Sequence, residues 1–185
     1  MDLDFRALWD GALTYDEFVR QSREHCGLWT GVYHLARIPA WAVERACEGG
    51  RRFRLLVLAE DWCGDASNTV PYVAKLGDQA RCLEMRVLRR DEHPEVMDRY
   101  LSGTSRSIPI VIVLDAAWRE IGHWGSRPRA LQAWVLRARQ TTPQEQFYPQ
   151  IRRWYAHDKG ETTLREILEV LPSEELSTTP RRPDN

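Results

Sequence analysis

A basic surplus is missing from this chain. Its 26 Lys and Arg residues are balanced by 27 Asp and Glu, for a net charge of −1. Nucleic-acid recognition starts from a positive surface, so the charge balance excludes that class as a first reading. Long apolar runs are missing too. No stretch approaches the roughly 18 residues that a membrane-spanning helix needs, and the opening "MDLDFRALWDG" lacks the apolar centre of a secretory signal. The expectation is a cytoplasmic chain without membrane contact. Cysteine is scarce: Cys26, Cys47, Cys63 and Cys82 stand 21, 16 and 19 residues apart. Such spacing fits neither a zinc site nor a small disulfide scaffold, so no metal is expected. No internal repeat is visible.

What is present is enough for one domain with a real core and an added lobe: 185 residues, 43% hydrophobic and 29% charged. Residues 1–50 read as helical. "TYDEFVRQSREHC" opens on Thr14 with Glu17 three residues on, a capping box. "PAWAVERACEGG" opens on Pro39 and closes on Gly49 and Gly50. Between them "GLWTGVYHLARI" has no clear period. The middle changes character. "RFRLLVLAE" and "PIVIVLD" are apolar runs suited to strands buried on both faces. "CLEMRVLRR" alternates like a strand, and "WREIGHWG" follows "PIVIVLD" closely enough to form a hairpin with it. Residues 65–80, 94–101 and 127–140 read as helices.

The order is βαβαββα. Its first two strands, joined through a helix, must run parallel, and its last two antiparallel. The fold class is therefore α/β: a mixed four-stranded sheet with helices on both faces. The expected division is a helical extension over 1–50, a core over 51–140, a second helical extension over 141–172 and a disordered polar tail over 173–185.

One short stretch carries chemistry. "LAEDWCGDASNTVP" leaves a buried strand, reaches Trp62-Cys63-Gly64 and enters a helix. Taken with the element order, it resembles the thioredoxin superfamily. Pro71, eight residues after Cys63, matches the proline that kinks the family's active-site helix. Ile108-Pro109 stands where the family has a cis-proline facing the active cysteine. Gly125, 16 residues after Pro109, stands where it has a glycine lining the substrate groove. "EDWCGD" and "GHWGSRP" are similar to one bacterial branch whose motif is Trp-Cys-Gly-Asp-Cys. The resemblance implies a groove built from Trp62, Gly64, Asp65, Ile108, Pro109, Trp124 and Gly125 around a catalytic Cys63.

Two departures stand out. The second cysteine of the motif is Ala66, and the buried acid that the family holds six residues before its first cysteine is Val57. Their joint loss is coherent, because a buried carboxylate with no second thiol to deprotonate only costs desolvation. No other cysteine is an obvious substitute. Cys82 and Cys47 precede their strands and lie at the far sheet edge, on the order of 20 Å away, whereas a disulfide needs Cα atoms within about 7 Å. Cys26 is unplaced.

At the head of its helix Cys63 faces free backbone amides, which pull its pKa below the usual thiol value, while Asp61 and Asp65 push it up. Asp65 is a groove residue or merely a helix cap, and Trp124 lines the groove or packs the core. His123 points to the other face of its strand, and Arg127 and Arg129 read as a solvated helix start. Two functions compete. One is monothiol disulfide exchange, or mixed-disulfide capture of a protein or peptide through Cys63, with no bound cofactor and with glutathione as the external thiol. The other is a non-catalytic peptide- or protein-binding module that uses the groove alone.

Overall fold

The computed structural model describes residues 3–173. The sheet is formed by β1 (Phe53–Ala59), β2 (Leu83–Arg89), β3 (Ile110–Leu114) and β4 (Glu120–Gly125) in the spatial order β2-β1-β3-β4. β1 pairs parallel with β2, with Val57 opposite Val87, and antiparallel with β3, with Val57 opposite Val111. β3 and β4 form the hairpin, with a register shift between Val113 and Leu114. Every residue of β3 is buried, and β1 is buried throughout except at Arg54. The continuous apolar runs in the sequence are these two central strands.

β4 shows how the sheet is covered. Successive side chains point to opposite faces. The His123 ring meets Tyr100, 4.8 Å between centroids, in the segment that follows α6 (Pro94–Met97). The next residue, Trp124, donates its indole N–H to Glu166 of α9 (Glu161–Glu169) at 2.8 Å. Helices therefore lie on both faces, and His123 faces away from Trp124 as alternation requires.

Four helices precede the sheet: α1 (Phe5–Gly11), α2 (Tyr15–Gln21), α3 (Cys26–Leu35) and α4 (Ala40–Ala46). The capping box at α2 forms, with Thr14 accepting from the Glu17 amide and Glu17 accepting from the Thr14 amide. The helix expected to run on to Cys26 stops at Gln21, and the segment without a clear period is α3. These helices are not an independent appendage: Phe5, Trp9, Phe18 and Trp29 are buried in the same core as β1 and β3. α5 (Gly64–Gln79) crosses from β1 to β2 with Pro71 buried inside it, and packs against α3, α4 and α9.

After the sheet come α7 (Arg129–Thr141) and α8 (Gln144–Asp158). They pair through a small core of their own, in which Leu131 and Val135 meet Phe147, Ile151 and Tyr155. The tail expected from 173 onward lies, beyond Ser173, outside the described residues. No helix among the described residues is long and apolar enough to cross a membrane.

Candidate functional site

The site is built where β1 ends and α5 begins. Cys63 is the N-cap of α5, with extended backbone (φ −82°, ψ 112°), and its sulfur accepts from the Ala66 amide at 3.4 Å. The turn before it is pinned from the N-terminal helices. Asp61 accepts from the amides of Arg23 at 2.6 Å and Glu24 at 3.3 Å, and its carbonyl accepts from the Trp29 indole at 3.1 Å. Burial pushes the Asp61 carboxyl up, but these amides outweigh it and hold the group below the usual carboxylate range. Glu60, buried, accepts from the Asp91 amide at 2.8 Å and lies 3.6 Å from Arg89. Desolvation raises its pKa.

The opposite wall is the segment entering β3. The Ile108–Pro109 bond is cis. The Cys63 thiol donates to the Ile108 carbonyl at 3.5 Å, and Pro109 is buried beside it. Gly125 closes this corner: a Cβ there would lie 2.4 Å from the Pro109 carbonyl oxygen.

Cys63 is 8% exposed, and burial pushes its thiol up to about 11. This decides the balance that the sequence left open. The Ala66 amide does lower the pKa and Asp65 raises it, as expected, but desolvation exceeds both. The Asp61 carboxylate is held by the Arg23 and Glu24 amides. At neutral pH Cys63 is a neutral thiol that both donates and accepts a hydrogen bond.

Asp65 is neither the cap nor a freely exposed groove residue. Cys63 supplies the cap, and Asp65 pairs with Arg127 and accepts from the Tyr155 hydroxyl at 2.8 Å. The Arg127 and Asp65 side chains are only 10% and 12% exposed, so the solvated reading of Arg127 does not hold. Arg129 is 73% exposed yet joins Glu166 and Glu169.

A cleft of about 450 Å³ opens over the thiol. Trp62, Cys63, Gly64, Asp65 and Ile108 line it. Pro109 and Gly125, expected in the groove, do not line it: Pro109 is buried and Gly125 packs against the Pro109 carbonyl. Trp124 does not line it: the indole is 7% exposed and held by Glu166. The reason is α9, which covers that face of β4 and which no local signal places there. Sequence reasoning also missed most of the rest of the cleft. His25 and Leu28 of the N-terminal lobe line it, as do Arg90, Arg106, Arg127 and Arg139, with Tyr148, Ile151 and Arg152 of α8. Arg90 lies over the Trp62 ring, 4.7 Å from its centroid, and His25 Nε2 is 3.1 Å from the Trp62 carbonyl. These residues come from segments far apart in the chain, and the arginine that opens the 127–140 helix was the one available hint.

All four cysteines are free. Cys47 is close enough to Cys82 to raise its thiol pKa, and Cys26, exposed, bonds to the Ser22 carbonyl at 3.4 Å. Neither Cys26, Cys47 nor Cys82 lines the cleft. Among the described residues no group of three or more His, Cys, Asp or Glu is placed to hold a metal ion.

No curated protein matches the chain significantly. Solved structures that share the fold include the following two. One is a crystal structure of a Pseudomonas aeruginosa protein of unknown function, 20% identical, covering 91% of this chain and 97% of that one with a TM-score of 0.74. The other is an HIV epitope-scaffold, 19% identical, covering 91% and 97% with a TM-score of 0.71. The sequence profile of the family described as Thioredoxin matches residues 12–145, which takes in most of the N-terminal helices as well as the sheet. With the βαβαββα sheet, the cysteine capping α5 and a profile match over most of its length, the chain belongs to the thioredoxin family.

Proposed function

We propose that this protein is a thioredoxin-fold binding module, which seats an extended protein or peptide segment in the cleft over Cys63 without a dithiol cycle. The observation that carries this reading is the state of Cys63. Its thiol is buried, donates to the Ile108 carbonyl, and has its pKa pushed up to about 11. Disulfide exchange needs a thiolate, and Ala66, fully buried, offers no second sulfur. The cleft wall suits binding: Trp62 is 39% and Tyr148 41% exposed, unusual for large rings without a partner.

A second reading, monothiol exchange, is favoured by one feature: the sulfur lines the cleft and is within reach of a seated partner. In that chemistry the Cys63 sulfur, deprotonated, bonds to one sulfur of a partner disulfide, and the other sulfur leaves as a thiolate. An external thiol such as glutathione then takes the partner, returning Cys63 to its reduced form as glutathione ends in the mixed disulfide. The raised thiol pKa opposes the first step.

The deciding experiment selects peptides from a displayed library on the full chain and rebinds them to two variants. Binding should survive Cys63→Ser and be lost in Trp62→Ala, because aromatic anchors dominate such contacts. Insulin reduction coupled to thioredoxin reductase should stay at background. Loss of binding in Cys63→Ser, with turnover in the wild type, would favour the thiol reading.

A further inference from the structure

The cleft over Cys63 continues into a second, more apolar cavity of about 870 Å³, with which it shares His25, Leu28, Asn68 and Arg152. The charge along this joined groove is one-sided. Arg90, Arg106, Arg127, Arg139 and Arg152 line the first cavity, and Arg37 and Lys159 extend the series in the second. Asp65 is the one carboxylate in either lining, and Arg127 already takes it. The chain as a whole carries a net charge of −1, so this concentration does not follow from composition.

Some of these cations are spoken for: Arg106 pairs with Asp98 and Arg90 with Asp91. Arg37, Arg139, Arg152 and Lys159 pair with no carboxylate among the described residues. Arg127 Nε is buried without a hydrogen-bond partner among the described residues, although the same guanidinium bonds Asp65 and Gln132. The exposed guanidiniums without a carboxylate partner are suited to an incoming carboxylate, which the planar guanidinium fork can take in two parallel bonds.

We propose that the groove recognises an acidic protein segment, whose Asp or Glu side chains meet Arg139 and Arg152 while an apolar side chain rests on Leu28 and Trp62. This rests on the binding-module reading and names the class of its partner. A peptide is favoured over a nucleic acid because the cations line a groove with apolar walls, on a chain whose net charge is negative. Cations in such a groove draw an acidic partner in and fix its register, and they do so less at high salt.

The test uses the full chain and fluorescence anisotropy. The probes are a fluorescein-labelled peptide EELFEE, its counterpart QQLFQQ, a labelled ten-residue oligothymidine, and unlabelled citrate as competitor. Arg139 and Arg152 are exposed, so the double variant R139Q/R152Q should fold, which circular dichroism checks. EELFEE should bind at least about tenfold more tightly than QQLFQQ, and R139Q/R152Q or half-molar salt should remove about tenfold or more. Equal binding of the two peptides overturns acidic recognition, and if Trp62→Ala then abolishes both, the binding-module reading survives alone. No binding of either peptide overturns acidic recognition, and if the displayed library also yields no peptide lost in Trp62→Ala, the binding-module reading falls with it. Oligothymidine binding more tightly than EELFEE, or citrate binding as tightly, overturns the proposal in favour of a nucleic acid or a free small carboxylate.

Discussion

Asp65 and Arg127 form an ion pair that is about nine-tenths buried, and the Tyr155 hydroxyl donates to the same carboxylate at 2.8 Å. Three elements meet at this point: the first turn of α5, the loop between β4 and α7, and α8. The pair thereby fixes the C-terminal helices against the cysteine-bearing helix and shapes the wall of the cleft.

Asp65→Asn should cost about 3–5 kcal/mol, because it leaves the Arg127 cation buried without a counter-charge. Tyr155→Phe removes one hydrogen bond to a charged acceptor and should cost about 1.5–3 kcal/mol. Urea unfolding gives both numbers. An Asp65→Asn loss below that of Tyr155→Phe would mean that the pair is solvated in solution.

Alkylation should separate the cysteines by exposure. At pH 7.5 iodoacetamide should modify Cys26, which is exposed, well before Cys63, which is 8% exposed. The rate at Cys63 should still be climbing near pH 10, since its thiol titrates at about 11. Peptide mapping at timed quenches measures it. A Cys63 rate that levels off below pH 8 would place an activated thiolate at the site.

Stability should fall on the alkaline side. Burial pushes Cys63 up to about 11, the hydrogen bond to Asp78 and burial raise Tyr33 to about 12, and burial raises Tyr155 and Tyr100. Each of these groups ionises more readily in the unfolded chain, at about 8.5 for a thiol and about 10 for a phenol. Their contribution is therefore fully present below those values and is lost as pH rises through the folded ones. Urea midpoints should change little on this account between pH 7 and 8, then drop from about pH 9 upward. Tyr155→Phe should flatten the drop, and an unchanged alkaline limb in that variant would remove Tyr155 from the account.

Gly125→Ala should destabilise the β3–β4 corner. At φ 149° the added methyl would lie 2.4 Å from the Pro109 carbonyl oxygen and 2.7 Å from Ile110 Cδ1, so backbone must shift. Overpacking of this kind costs about 1–3 kcal/mol. Thermal unfolding measures it, and an unchanged midpoint would mean that the corner yields freely.

The sheet was legible because its signals are local. Apolar runs at β1 and β3, alternation in "CLEMRVLRR" and the short turn before β4 specify strand, pairing direction and hairpin without reference to the rest of the chain. Part of the candidate site was legible for the same reason: Trp62, Cys63, Gly64, Asp65 and Ile108 sit at junctions between such elements. Misreadings arose where a distant element decided the outcome. Trp124 was expected in the groove and is covered by α9, and Arg127 was expected in solvent and is buried against Asp65.

By itself the sequence determined the order of strands and helices and the presence of a single cysteine, Cys63, at the head of α5. Those follow from periodicity and from residue identity, which are properties of neighbours along the chain. Tertiary structure alone decided the ionisation of Cys63 and the charge of its cleft. A thiol's pKa depends on what excludes water from it, and here Ile108, 45 residues away, accepts its hydrogen bond. The cations come from α8, from the end of α7 and from the segments around β2 and β3, elements that only folding brings to one place.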